Sequence, residues 1–164
     1  MYKRQLNPHA YEVQYYYQNI WTSDFDAEAG SVKVRNENFF VDLSDVVMEA
    51  TVEAEGKKGT SIVFVGLNIP PQGEKTVTVP GLGEKIRKAK AENPDKEIVV
   101  NLDFIQTSDE LDILDLKQPV AREQYVVQGY DFKAATTPAV AAKEAKVEAD
   151  SMLASYTISA NGMS

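Results

Sequence analysis

The chain has 164 residues, of which 43% are hydrophobic and 26% charged, and a formal net charge of −8, the make-up of one ordinary globular domain with room for an appendage. That negative balance repels phosphate and excludes non-specific nucleic-acid binding. With no cysteine, disulfides, thiol nucleophiles and zinc–thiolate centres are excluded as well.

The opening MYKRQ is basic, but polar residues follow it where a secretory signal would have an apolar core. Residues 1–6 are read as a non-native leader. His9, the single histidine, reads as a turn residue before the first strand. No Gly-x-Ser-x-Gly elbow exists to pair with it, so a serine triad is not available. The stretch AYEVQYYYQNIW (Ala10–Trp21) then concentrates Tyr15, Tyr16, Tyr17 and the only tryptophan. It fits a sugar-stacking platform, a core strand, or a seam onto a neighbour. As a strand, its period of two puts Tyr15 and Tyr17 on one face and Tyr16 on the other.

DFDAEAG (Asp24–Gly30) places acids at alternating positions, as a calcium loop does. An EF-hand starting at Asp24 needs glycine where Ala29 stands and glutamate where Arg35 stands, so an Asx-stabilised loop is the better reading. SVKVRN (Ser31–Asn36) alternates Val32 and Val34 inward against Lys33 and Arg35. VVMEATVEA (Val46–Ala54) alternates at Met48, Ala50, Val52 and Ala54, and EGKKG (Glu55–Gly59) makes a hairpin loop. TSIVFVGLNI (Thr60–Ile69) returns as a strand, PPQGE (Pro70–Glu74) turns, and KTVTVP (Lys75–Pro80) presents Val77 and Val79 on one face.

GEKIRKAKAEN (Gly83–Asn93) breaks this rhythm with helix formers that stop before Pro94, and predicts a short surface helix or turn. Its basic residues Lys85, Arg87, Lys88 and Lys90 read as a solvated face balanced by Glu84 and Glu92. EIVVNLDFI (Glu97–Ile105) and REQYVVQGYDF (Arg122–Phe132) supply the last strands, with Val99 assigned to the core beside Val32, Val34, Val52, Val77 and Val79. Between them, TSDELDILDL (Thr107–Leu116) carries Asp109, Glu110, Asp112 and Asp115. Paired carboxylates serve glycoside hydrolysis, but in a solvated loop nothing raises the pKa of one of them. PGLGEK (Pro80–Lys85) lacks the spacing of a phosphate loop.

About seven strands joined by hairpins predict an all-β, immunoglobulin-like β-sandwich of antiparallel strands with one short helical insert. It would occupy residues 7–132. A linker poor in large apolar residues covers 133–147, and residues 148–164, strand-like at Tyr156 and Ile158, read as the truncated start of a following β-sandwich domain. No cofactor or metal site is expected, nor any contact with membrane or nucleic acid. The chain is expected to be soluble, cytoplasmic or periplasmic.

With these elements in place, NPHAYEVQYYYQNIW resembles the passage from the catalytic barrel into the next domain of glycoside hydrolase family 2 β-galactosidases. In the same order, GSVKVRNENFFVDLSD (Gly30–Asp45) is similar to that domain's second strand and aromatic turn, with Asn38, Phe39 and Phe40 ahead of an L-S-D corner. NIPPQGEKTVTVP (Asn68–Pro80), EIVVNLDFI and VAREQYVV (Val120–Val127) resemble its later turn and strands. The chain departs from the family at Gln118, Pro119 and Arg122, where a glycine-histidine pair and then a tryptophan are common. The resemblance implies a non-catalytic structural domain whose partners are the neighbouring barrel and C-terminal sandwich. The family's catalytic glutamates lie on the barrel, so no catalytic residue is carried over. Tyr11, Tyr15, Tyr17 and Trp21 are then expected at the interdomain seam. The competing expectation is a carbohydrate-binding or adhesion-type module.

Overall fold

The structure, a computed structural model, describes residues 8–108, 118–132, 146–150 and 155–159. The chain divides into two units, Met1–Tyr130 and Asp131–Ser164. In the first, helix α1 (Pro8–Tyr16) precedes strands β1 (Ile20–Asp26), β2 (Ser31–Asn36), β3 (Val46–Ala54), β4 (Lys57–Lys58), β5 (Ile62–Phe64) and β6 (Glu74–Thr78). Helix α2 (Leu82–Glu92) leads to β7 (Ile98–Gln106) and β8 (Ala121–Gln128). The second unit contains an antiparallel pair, β9 (Lys146–Asp150) with β10 (Ser155–Ser159).

The first unit is mostly β, with two short helices. One antiparallel sheet has the order β1-β2-β6; the other runs β4-β3-β7-β8, with β5 also paired to β3. Alternation decides which side chains meet. Val32 and Val34 from β2, Val77 from β6, and Met48, Ala50 and Val52 from β3 are buried in one hydrophobic cluster, as is Val79 just beyond β6. Each of the valine and methionine side chains contributes roughly 1.5–3 kcal/mol when fully buried.

The assignment of Val99 to the core is corrected. The register pairs Val52 with Val100 and Ala54 with Ile98, so Ile98, Val100, Leu102 and Phe104 are buried and Val99 is left half-buried on the other face. The opposite choice would have turned Asn101 and Asp103 into the core, and an unpaired carboxylate there costs more than the apolar area of Val99 returns.

Three further expectations change. The Ala10–Trp21 segment is not one strand: α1 runs to Tyr16 and β1 begins at Ile20. Pro8 sits at the first helical position, where its missing N–H is harmless, and Val13 is the only β-branched residue before Ile20. His9 therefore lies within α1, 4.0 Å from Glu12, rather than in a turn. Of Thr60–Ile69 only Ile62–Phe64 pairs as strand; Leu67 and Ile69 are buried outside the ladder, where the Ile69 carbonyl accepts from Leu43 N–H at 3.1 Å. The positive φ of the Pro70–Glu74 turn falls on Gln72 (57°) and not on Gly73. Gln72 holds that conformation through its side-chain amide, which donates to the Glu37 carbonyl at 2.6 Å.

The hairpin after β3 is tight, with Glu55 and Gly56 both at positive φ (47° and 74°) between paired Ala54 and Lys57. Asp26 Oδ1 accepts from the N–H groups of Glu28 and Ala29 at 2.8 and 3.0 Å, which is an Asx-type loop. Residues Asp109–Leu116 of the acidic stretch lie outside the described residues. Among those described, no helix is long and apolar enough to cross a membrane.

Asn36 closes the end of β2 from inside. Its side chain is fully buried, and Nδ2 lies 2.9 Å from the Val41 carbonyl and 3.2 Å from those of Ile69 and Pro70. Its Oδ1 accepts from Asn38 N–H at 3.0 Å and Asn38 Nδ2 at 2.9 Å. One amide thus ties the 36–43 loop to the 69–70 turn. Asn36→Ala is expected to cost about 2 kcal/mol, since it strands buried carbonyls and one backbone N–H. A shift in the urea midpoint at constant m-value measures it; an unchanged midpoint would show that the clamp carries no stability.

Candidate functional site

Helix α1 lies against the start of β8, and three polar contacts fix it there. Gln18, buried just after the helix, accepts from Arg122 N–H through Oε1 at 3.0 Å. Gln14 Nε2 lies 3.4 Å from the Pro119 carbonyl. The Tyr15 hydroxyl donates to Glu123, 3.0 Å from Oε1 and 3.2 Å from Oε2. Desolvation, and then the Glu123 carboxylate, push that hydroxyl above the ordinary tyrosine range. Gln18 Nε2 has no hydrogen-bond partner, an unpaired buried donor of a kind that costs about 1–3 kcal/mol.

The helical period rearranges the aromatic segment. Tyr11, Tyr15 and Gln18 line a cavity of about 60 Å³ together with Pro119 and Arg122. Tyr15 also meets Trp21 of β1 edge-on, with ring centroids 5.5 Å apart, and Tyr16 at 5.7 Å. Tyr15 and Trp21 are therefore brought together, while Tyr17 points elsewhere. Val13, Tyr16 and Tyr17 follow the i, i+3, i+4 spacing of one helix face, and all three are exposed, Tyr16 by 74% and Tyr17 by 81%. Tyr17 borders a second cavity, of about 330 Å³, whose wall includes Gln18, Val41 and Asp42. The Ser44 hydroxyl and backbone N–H hold the Asp42 carboxyl below its usual range.

Of the expected seam residues, then, Tyr15 and Trp21 form one cluster, Tyr11 edges it, and Tyr17 belongs to an outward row with Val13 and Tyr16. A strand reading could not find that row, because it separates Tyr16 from Tyr17. Phe39, Phe40 and Val41 add exposed apolar surface in the loop after β2. Inside, Phe25 stacks on Tyr125 at 4.6 Å, and the Tyr125 hydroxyl lies 2.7 Å from Thr22 Oγ1, linking β1 to β8. Burial raises the Tyr125 pKa and the Thr22 bond opposes it.

Among the described residues no Asp or Glu is buried, and no group of three or more His, Asp or Glu side chains is placed to hold a metal ion. What the site offers is an exposed, largely aromatic helix face held to β8 by polar contacts. A search of curated proteins finds no match to this chain. Residues 32–128, more than half of the 164, match the family model described as β-galactosidase, domain 4; the chain belongs to that family.

Proposed function

We propose that this β-galactosidase domain is a non-catalytic spacer that joins the catalytic barrel to the C-terminal sandwich and sets their placement. The observation that carries the proposal is the outward row Val13, Tyr16 and Tyr17, large and exposed on a helix whose other side is pinned to β8. An apolar row on a docked helix suits burial by a neighbouring domain. The strand orders β1-β2-β6 and β4-β3-β7-β8 support an immunoglobulin-like sandwich over residues 7–132, because they follow the A-B-E and C-F-G groupings of that fold. On this reading the pair β9 (Lys146–Asp150) and β10 (Ser155–Ser159) belongs to a following domain, which opens at Lys146, inside the stretch 133–147 expected as a linker.

The test is a set of serine substitutions at Val13, Tyr16 and Tyr17, made in this chain and in the β-galactosidase that carries it. In this chain the unfolding midpoint should stay within a few degrees, since the residues are exposed. In the whole enzyme stability should fall, by roughly 1 kcal/mol or more per aromatic uncovered. Equal effects in both would reject the seam. The chain alone should hydrolyse no chromogenic galactoside, and galactosides should leave Trp21 fluorescence unchanged. Saturable micromolar binding would instead favour a carbohydrate-binding module. Turnover that disappears on amide substitution at Asp109, Glu110, Asp112 and Asp115 would overturn the non-catalytic role.

A further inference from the structure

The fold brings the two-residue strand β4 opposite α2. Between them lies an open groove of about 650 Å³ lined by Lys57, Lys58, Lys85 and Lys88, with Glu92 the one acid on its wall. Its floor includes Val52, Ala54 and Ala89. Lys88 lies 3.8 Å from Glu92, and Lys85 Nζ donates to the Thr60 carbonyl at 2.8 Å. Lys57 and Lys58 are exposed at the hairpin. Lysine on an edge strand deters pairing with other chains, but that purpose does not need a basic wall facing it. Lys88 is paired with Glu92, and Lys58 stands opposite Glu53 in the β3–β4 register, which leaves Lys57 and Lys85 as the groove's excess positive charge.

We infer that this groove docks an extended acidic polypeptide segment, with carboxylates on the lysine walls and small apolar side chains on the floor. The occupant follows from the lining. Lysines are point charges on mobile stems, without the rigid fork with which arginine grips a phosphate or sulfate, and the apolar floor gives side chains of a peptide a place that a small inorganic anion would leave empty. The chain's net charge of −8 opposes any polyanion, so binding rests on the local lysine walls, and a single-stranded oligonucleotide serves as the comparison. The inference goes beyond the spacer role and does not depend on it.

The experiment is fluorescence anisotropy of a fluorescein-labelled oligopeptide of alternating glutamate and alanine, titrated with the chain. The expected result is saturable binding that weakens about tenfold or more as salt rises from about 20 to about 200 mM. Lys57→Glu combined with Lys58→Glu should abolish it. Lys88→Gln should weaken it severalfold, and this second variant keeps the test decisive if the hairpin change disturbs folding. No binding at low salt, or binding indifferent to these changes, would overturn the inference. So would equal binding of a single-stranded oligonucleotide, or full competition by millimolar inorganic sulfate at constant ionic strength, since either makes the groove a general anion patch.

Discussion

Val77→Asp is expected to remove the cooperative unfolding of the first unit. Val77 is 3% exposed and pairs with Val32 across β2 and β6. The buried polar side chains among the described residues are Gln18, Asn36 and Thr51, none of them cationic. The new carboxylate would have no counter-charge and would either remain ionised at a heavy desolvation cost or take up a proton and still lack partners. At least about 4 kcal/mol should be lost, out of a total that for a domain of this size is about 5–15 kcal/mol. Val77→Ala should cost roughly 2 kcal/mol, the loss of packing alone. Thr76→Asp, one residue earlier on an exposed position, should stay within about 0.5 kcal/mol. Thermal and urea unfolding of the three variants provide the check. Wild-type behaviour of Val77→Asp would mean that β6 presents its other face to the core.

Gly83→Val should be the second large effect, and Gly83→Ala gives it a sign that propensity alone gets wrong. Gly83 is the second residue of α2, where alanine ought to gain up to about 1 kcal/mol over glycine. A Cβ at this position, however, would overlap the backbone carbonyl of Glu28 in the turn between β1 and β2. Backbone cannot rotate out of the way. The approach is close from the other side too: a Cβ on Gly30, itself at φ 65°, would lie 2.9 Å from the Gly83 nitrogen. Overpacking of this kind costs about 1–3 kcal/mol, so Gly83→Ala should be destabilising on balance. Gly83→Val should cost about 3 kcal/mol or more, with its branched side chain added to a helix start. Because Leu82 and Ile86 anchor α2 in the core, the loss should register in global unfolding. A more stable Gly83→Ala protein would show that α2 does not press on that turn.

The alternation of Val32 and Val34, of Met48, Ala50 and Val52, and of Val77 and Val79 was legible because a strand with one buried face must repeat every second residue. The helix after Pro80 was legible from its residue types and from Pro94, although the burial of its Leu82 and Ile86 was not. Val99 was misplaced because Ile98–Val100 is apolar throughout, and a run without polar alternation does not state its own phase. Only pairing with β3, which keeps Asp103 out of the core, selects it. Likewise Tyr15–Tyr17 gives a strand and a helix equal apolar content; docking on Arg122 and Glu123 of β8, more than a hundred residues along the chain, favours the helix.

The candidate surfaces divide in the same way. An aromatic entrance to the domain could be named from Ala10–Trp21 alone, and so could its members Tyr11, Tyr15, Tyr17 and Trp21. Which of them turn inward depends on helix phase and on partners distant in sequence. The basic groove lies further from view: Lys57 and Lys58 stand about thirty residues from Lys85 and Lys88, and each pair alone is an ordinary solvated charge cluster. By itself the sequence determined the strand-rich class, the missing thiol chemistry, and most of the core, since these rest on composition and local period. Strand register, the phase of α1 and the meeting of the lysines were decided by the tertiary structure, because each depends on the free energy of contacts between segments that no local window contains.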